Sequence, residues 1–181
     1  NQQTDLDPTD NDGRRTTSLD IGDVDGDGDL DLVEANRAKV IDGGNGLNQP
    51  NRIHINQWVE SGGTTLFNTA NRFDLTDSAD RNSHGVVLVD VNNDGRLDLV
   101  VGNRRVGLQT ADGVQNDDIR SRNQLYLNSG NANPFDGAPI ELGTETDDSR
   151  FILAGDVDLD GRADVVAINE VDPDAPNPGG Q

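Results

Sequence analysis

The chain has no cysteine, which excludes a disulfide framework, a thiolate metal site and any thiol nucleophile. Methionine is also missing, even at position 1, as expected of a processed or excised segment. No apolar run approaches the roughly 20 residues of a membrane span, and residues 1–15 (NQQTDLDPTDNDGRR) are polar, without a leader-like apolar stretch. Hydrophobic residues make up 31% of the 181 positions, which is low for one large core and favours many short strands. Positive charge is scarce: 14 Lys and Arg against 34 Asp and Glu leave a formal charge of -20. A broad nucleic-acid or anionic-membrane surface is therefore not expected. Such a balance suits a salty or calcium-rich medium. Also absent are a G-x-S-x-G elbow, a Gly-rich phosphate loop and a His-rich zinc pattern.

What the chain has in excess is aspartate, and three stretches collect it. Asp23-Val24-Asp25-Gly26-Asp27-Gly28-Asp29-Leu30-Asp31 fits D-x-[DN]-x-D-G-x-x-D. Asp90-Val91-Asn92-Asn93-Asp94-Gly95-Arg96-Leu97-Asp98 and Asp156-Val157-Asp158-Leu159-Asp160-Gly161-Arg162-Ala163-Asp164 fit it too, with first residues 67 and 66 positions apart. Alternate side chains on a tightly turned loop point several carboxylates at one centre, as a hard cation with six to eight oxygen ligands requires. The glycine permits the turn. Before each loop apolar and polar residues alternate (Leu19 and Ile21; Val86 and Leu88; Ile152 and Ala154). After each comes a short Val/Leu-rich run ending near an asparagine (Asn36, Asn103, Asn169). These runs are too short for ordinary helices, so each loop is expected to join two strands.

A second signature follows the first two loops. Asn51-Arg52-Ile53-His54-Ile55-Asn56 and Asn123-Gln124-Leu125-Tyr126-Leu127-Asn128 share the form N-x-[IL]-x-[IL]-N, a third strand per repeat. Stretches 58–73 and 133–142 can supply a fourth. About four strands every 66 or so residues is the pattern of a β-propeller. On these residues the chain resembles the calcium-loop propellers of the VCBS/FG-GAP type, related to the blades of integrin α subunits, although no Phe-Gly precedes the loops. The resemblance implies an all-β partial propeller with four antiparallel strands per blade and a calcium loop between the first two. Its phase divides the chain into 1–15, the end of a preceding blade; 16–82 and 83–148, two blades; and 149–181, half of a further blade. Such a piece would be completed by neighbouring blades of the same longer chain or of other subunits.

The resemblance further implies three Ca2+ sites. Side chains of Asp23, Asp25, Asp27 and Asp31 with the carbonyl of Asp29 form the first. Asp90, Asn92, Asp94 and Asp98 with the carbonyl of Arg96 form the second, weakened by its neutral Asn92. Asp156, Asp158, Asp160 and Asp164 with the carbonyl of Arg162 form the third. Three divalent ions would bring the charge from -20 to -14. An EF-hand competes for the first loop alone, because Glu34 takes the twelfth position. Val101 and Ala167 stand at that offset in the other loops, and strand-like flanks replace the helices an EF-hand needs. Calcium is expected to act structurally.

Neither histidine looks catalytic. His54 takes the place of Tyr126 in its repeat, and His84 precedes an inner strand. The connections 37–50, 104–122 and 170 onward carry Arg37, Lys39, Arg104, Arg105, Arg120 and Arg122. They suit a carboxylated or sulfated glycan, or an acidic protein patch, on the face away from the loops. Ordinary solvated charge in long loops is the plainer reading. The expected function is an extracellular or cell-surface adhesion or recognition module without catalysis of its own. The alternatives are a structural subunit of a surface layer or filament, and a scaffold fragment of a secreted polysaccharide-active enzyme.

Overall fold

The structure is a computed structural model describing residues 15–37, 39–41, 44–47, 49–76, 78, 81–104, 122–143 and 148–169. These residues form β1 (Thr16–Gly22), β2 (Asp31–Asn36), β3 (Lys39–Ile41), β4 (Gly44–Leu47), β5 (Arg52–His54), β6 (Arg72–Asp74), β7 (Asn82–Val89), β8 (Asp98–Arg104), β9 (Asn123–Tyr126), β10 (Ile140–Leu142), β11 (Ser149–Gly155) and β12 (Asp164–Asn169). One short 3-10 turn, Thr69–Asn71, is capped by the Asn68 side chain. Among the described residues no helix is long and apolar enough to cross a membrane.

Pairing is antiparallel throughout. The first sheet runs β1-β2-β5-β6, the second β7-β8-β9-β10, and β11-β12 and β3-β4 form two-stranded sheets. Each acidic loop joins the two strands of a hairpin. The register slips at the same place in every hairpin, between Thr16 and Ser18, Ser83 and Gly85, and Ser149 and Phe151. A repeated bulge of this kind bends the strand and raises its twist.

Central strands β2 and β8 are almost entirely buried, consistent with their Val/Leu content. Val33, Ala35 and Ile53 of the first sheet share one core with Val86, Leu99, Val101, Tyr126 and Phe135. Small residues set the sheet spacing. A Cβ on Gly22 would stand 2.6 Å from Leu97 Cδ1, and one on Gly102 would stand 2.5 Å from Ile152 Cγ1.

A buried polar relay crosses the same interfaces. The Asn36 amide donates to Asn51 Oδ1 (2.7 Å), and Asn51 Nδ2 donates to Ser83 Oγ in the next sheet (2.8 Å). Ser83 Oγ in turn donates to Asn103 Oδ1 (2.7 Å). The pattern then repeats: Asn103 N to Asn123 Oδ1 (2.9 Å), Asn123 Nδ2 to Ser149 Oγ (2.9 Å), and Ser149 Oγ to Asn169 Oδ1 (2.7 Å). Buried polar groups are tolerable when each has its partner. Asn51 and Asn123 thus link successive units, through Ser83 and Ser149.

The β-propeller expectation is corrected by this architecture. Among the described residues there are separate sheets of four, four, two and two strands, and none closes or curls into a ring. The two ends of the array do not meet: Leu19 and Ile21 on β1 are 56% and 60% exposed, and Phe151 and Leu153 on β11 are 61% and 58% exposed. A closed ring would bury both surfaces. The chain is an open all-β array, and its designation as a partial propeller of VCBS or FG-GAP blades is not retained.

Candidate metal centre

Each loop is coiled by its own carboxylates. Asp25 Oδ1 accepts from the Asp27 amide (3.3 Å) and Asp27 Oδ1 from the Asp29 amide (2.9 Å). Asn92 and Asp94 accept in the same way from the amides of Asp94 and Arg96 (2.9 and 3.0 Å), and Asp158 and Asp160 from those of Asp160 and Arg162 (3.1 and 2.9 Å). The leading aspartate spans further, with Asp23 taking Gly26 and Gly28, Asp90 taking Asp94 and Gly95, and Asp156 taking Asp160 and Gly161. Such side-chain-to-backbone turns are what Asp and Asn do best. The sixth position has φ of +97, +86 and +86 at Gly28, Gly95 and Gly161, where only glycine is unstrained. The fourth position is left-handed as well, even with Asn93 and Leu159 in place of Gly26.

This coiling gathers acidic oxygens in two loops. Among the described residues, Asp23, Asp25 and Asp27 bring one oxygen each within 4.8 Å of one another, as do Asp156, Asp158 and Asp164. A third group joins Asp27 and Asp29 to Glu60, a residue with no place in the repeated pattern. Asp90, Asp94 and Asp98 make no such group. Instead Arg96 Nη2 binds Asp94 Oδ2 and its Nε donates to the Asn128 carbonyl (3.2 Å), so a guanidinium sits among these acids. The Arg162 amide closes the turn at Asp160.

The ninth aspartate does something the spacing does not reveal. Both oxygens of Asp31 accept backbone amides, Oδ2 from Val24 and Oδ1 from Asn56, each at 2.8 Å. Asp98 repeats this with Val91 (3.1 Å) and Asn128 (2.8 Å). It fastens the start of the loop to the end of the third strand. Among the described residues Asp164 accepts from its own loop alone, at Val157 (2.9 Å) and Asp158 (3.4 Å), and it is this copy that joins a carboxylate group.

The asparagines closing the N-x-[IL]-x-[IL]-N motif complete the fastening. Asn56 Nδ2 donates to the Leu30 carbonyl (3.0 Å), and Asn128 Nδ2 to the carbonyls of Leu97 (3.0 Å) and Val24 (2.7 Å). As sequence they mark the end of a strand. Their recurrence behind each complete loop was the available signal of a second role.

The electrostatics match crowded acids. Burial pushes the Asp31 carboxyl up to about 7, against the two amides that stabilise its charge. Burial raises Asp98 likewise, and burial together with the Asp27 charge raises Asp25. The neighbouring Asp27 carboxylate raises Glu60. A divalent cation reverses each of these shifts by favouring the ionised form.

Away from the loops, His54 is packing: it is buried against Phe67, with Nε2 3.6 Å from Glu34 Oε1. His84 is different. Half-buried, and faced by Arg104, Arg37 and Arg150 with Asp148 opposing, it is held down at about 4. Arg104 is fixed there by a two-pronged contact to Asp148 (2.6 and 3.2 Å). Arg37 and Arg104 therefore converge, joined by Arg150. Arg122 lends its carbonyl to Asn103 (2.8 Å). Arg105, Arg120, residues 170–181 and the Lys39 side chain lie outside the described residues.

No family model matches this chain, and no curated protein matches it either. What the chain shows by its own structure is, among the described residues, an open all-β array with acidic groups that could hold a metal ion.

Proposed function

We propose that this chain is a calcium-stabilised all-β module of the cell exterior or surface, serving recognition or adhesion without catalysis of its own. The observation that carries the reading is the turn scaffold common to the three loops, which in two of them gathers three carboxylate oxygens within 4.8 Å. An all-oxygen, irregular donor set suits Ca2+ better than Mg2+, which demands near-octahedral geometry. Calcium bound to the folded chain stabilises it by mass action, about 2.7 kcal/mol per site at a hundredfold excess over Kd. Calorimetric titration and thermal melts with calcium, with magnesium and with chelator test this. Calcium binding with a chelator-sensitive melt is expected, and an unchanged melt on verified metal-free protein refutes it.

Ligand recognition is proposed at the cationic cluster of Arg37, Arg104 and Arg150 around His84. Its chemistry fits a carboxylated or sulfated glycan or an acidic protein segment. Undiminished binding of such a ligand after joint replacement of Arg37 and Arg150 removes that assignment. The outward apolar faces at Leu19 and Ile21, and at Phe151 and Leu153, fit further strands, from the same longer chain or from other copies. Val86 and Ile152, which hold the place of Leu19 in the second and third units, are buried between sheets. A strictly monomeric chain by light scattering at high concentration argues against other copies.

A further inference from the structure

The three loops differ at their seventh position, and the difference leaves one of them short of positive charge. In every loop the carboxylate at the fifth position (Asp27, Asp94, Asp160) spends Oδ1 on the amide two residues on. In the second loop Asp94 Oδ2 is met by Asn92 Nδ2 (3.1 Å) and by the guanidinium of Arg96, the seventh residue. The first loop has Asp29 there instead. Asp29 is 9% exposed; its Oδ2 accepts from the Val59 amide at 3.0 Å, while its Oδ1 is buried with no protein partner. Asp27 Oδ2, the counterpart of the atom that Arg96 satisfies, is also buried without a partner. Glu60, exposed to solvent, closes the third side, and the three carboxylates bring their oxygens within 4.8 Å of one another. The two buried oxygens, Asp27 Oδ2 and Asp29 Oδ1, are costly as anions unless a cation meets them.

We propose that Asp27, Asp29 and Glu60 form a second cation position in the first loop, beside the Asp23–Asp25–Asp27 group, with Asp27 shared between the two. The position takes a hard divalent cation, Ca2+ by the donor chemistry, and does with a metal what Arg96 does with its side chain. This deepens the calcium reading and rests on it. Glu60 is placed by a built turn: Trp58 N donates to Asn56 Oδ1 (3.1 Å), Ser61 N to the Gln57 carbonyl (2.9 Å) and Gly63 N to the Trp58 carbonyl (2.8 Å). Gly63 ends that turn at φ +81, with the Trp58 ring 3.2 Å from where a Cβ would stand. The position belongs to the first loop alone, since Arg162 takes the seventh place in the third loop, as Arg96 does in the second.

Trp58 is the only tryptophan of the chain and lies two residues from Glu60, so it can sensitise Tb3+ bound there. The test combines calorimetric Ca2+ stoichiometry with Tb3+ emission excited through Trp58, on the wild type, Glu60→Gln and Asp29→Arg. Glu60→Gln is expected to weaken one Ca2+ equivalent about tenfold or more and to lower Trp58-sensitised emission in step, with the other equivalents kept. Asp29→Arg, which copies the second loop, is expected to lose that equivalent while melting higher than wild type in chelator. Unchanged stoichiometry and emission in both variants, with wild-type calcium binding intact, overturns the second position and leaves the calcium reading standing. A wild type that binds no calcium overturns both.

Discussion

Replacing Asn128 by alanine probes how the second sheet grips the first loop. The Asn128 side chain is 3% exposed. It donates to the Val24 carbonyl in the first loop (2.7 Å) and to the Leu97 carbonyl in its own (3.0 Å), and it accepts from the Gly130 amide (2.9 Å). Alanine removes all three bonds. Val24 is 2% exposed, so its carbonyl is left desolvated, a loss of about 1–3 kcal/mol, while the two partly solvated groups cost about 0.5–1 kcal/mol each. The sum is about 3 kcal/mol, or a Tm lower by about 6–12 °C for a chain of this length. Asn56→Ala is the internal control. It loses the bond to Leu30 and the one from Trp58, but nothing that crosses between sheets, and should cost about 1.5 kcal/mol. Urea unfolding followed by Trp58 fluorescence in saturating calcium measures both. An Asn128→Ala variant within about 0.5 kcal/mol of wild type, or no weaker than Asn56→Ala, would refute the role assigned to this tie.

Two further outcomes follow from burial and close packing. Because the folded Asp31 carboxyl sits near 7, above its unfolded value of about 3.9, the metal-free fold holds the proton more tightly than the unfolded chain does. Its contribution is full below about pH 4 and lost as the pH climbs to about 7. Melts in chelator should therefore fall across that interval, less steeply in Asp31→Asn, and a metal-free Tm that rises there contradicts the assignment. Gly102→Ala places a methyl 2.5 Å from Ile152 Cγ1 and should cost about 1–3 kcal/mol. Pairing it with Ile152→Ala should recover part of that loss in a double-mutant cycle, and strict additivity would show that the two residues do not meet.

Much of the local structure was legible in the residues. Alternation at Leu19 and Ile21, and again at Val86 and Leu88, marked strands that pair across the acidic loops, and the three aspartate patterns marked those loops. The role of Asp31 and Asp98 was not legible. The resemblance implied that they are ligands, whereas one oxygen of each is taken by the amide of Asn56 or Asn128, 25 and 30 residues away. Nor was Glu60, which belongs to no repeat and reaches Asp27 only because the turn beginning at Asn56 folds back over the loop. The expected propeller failed for a related reason. A period near 66 residues says that similar units follow one another. Whether they curve round to meet depends on the rotation between neighbours, which is set by contacts such as Gly22 under Leu97 and Gly102 under Ile152.

What the sequence by itself determined are interactions of short range: the coiled aspartate loops, whose bonds span two to five residues, the left-handed glycine each loop requires, and the strand pairs on either side. Tertiary structure alone decided which carboxylates are spent on distant amides, which are left facing one another around Asp27, Asp29 and Glu60, and that the array stays open. Those outcomes depend on groups brought together from far along the chain, and no local pattern of residue types encodes that approach.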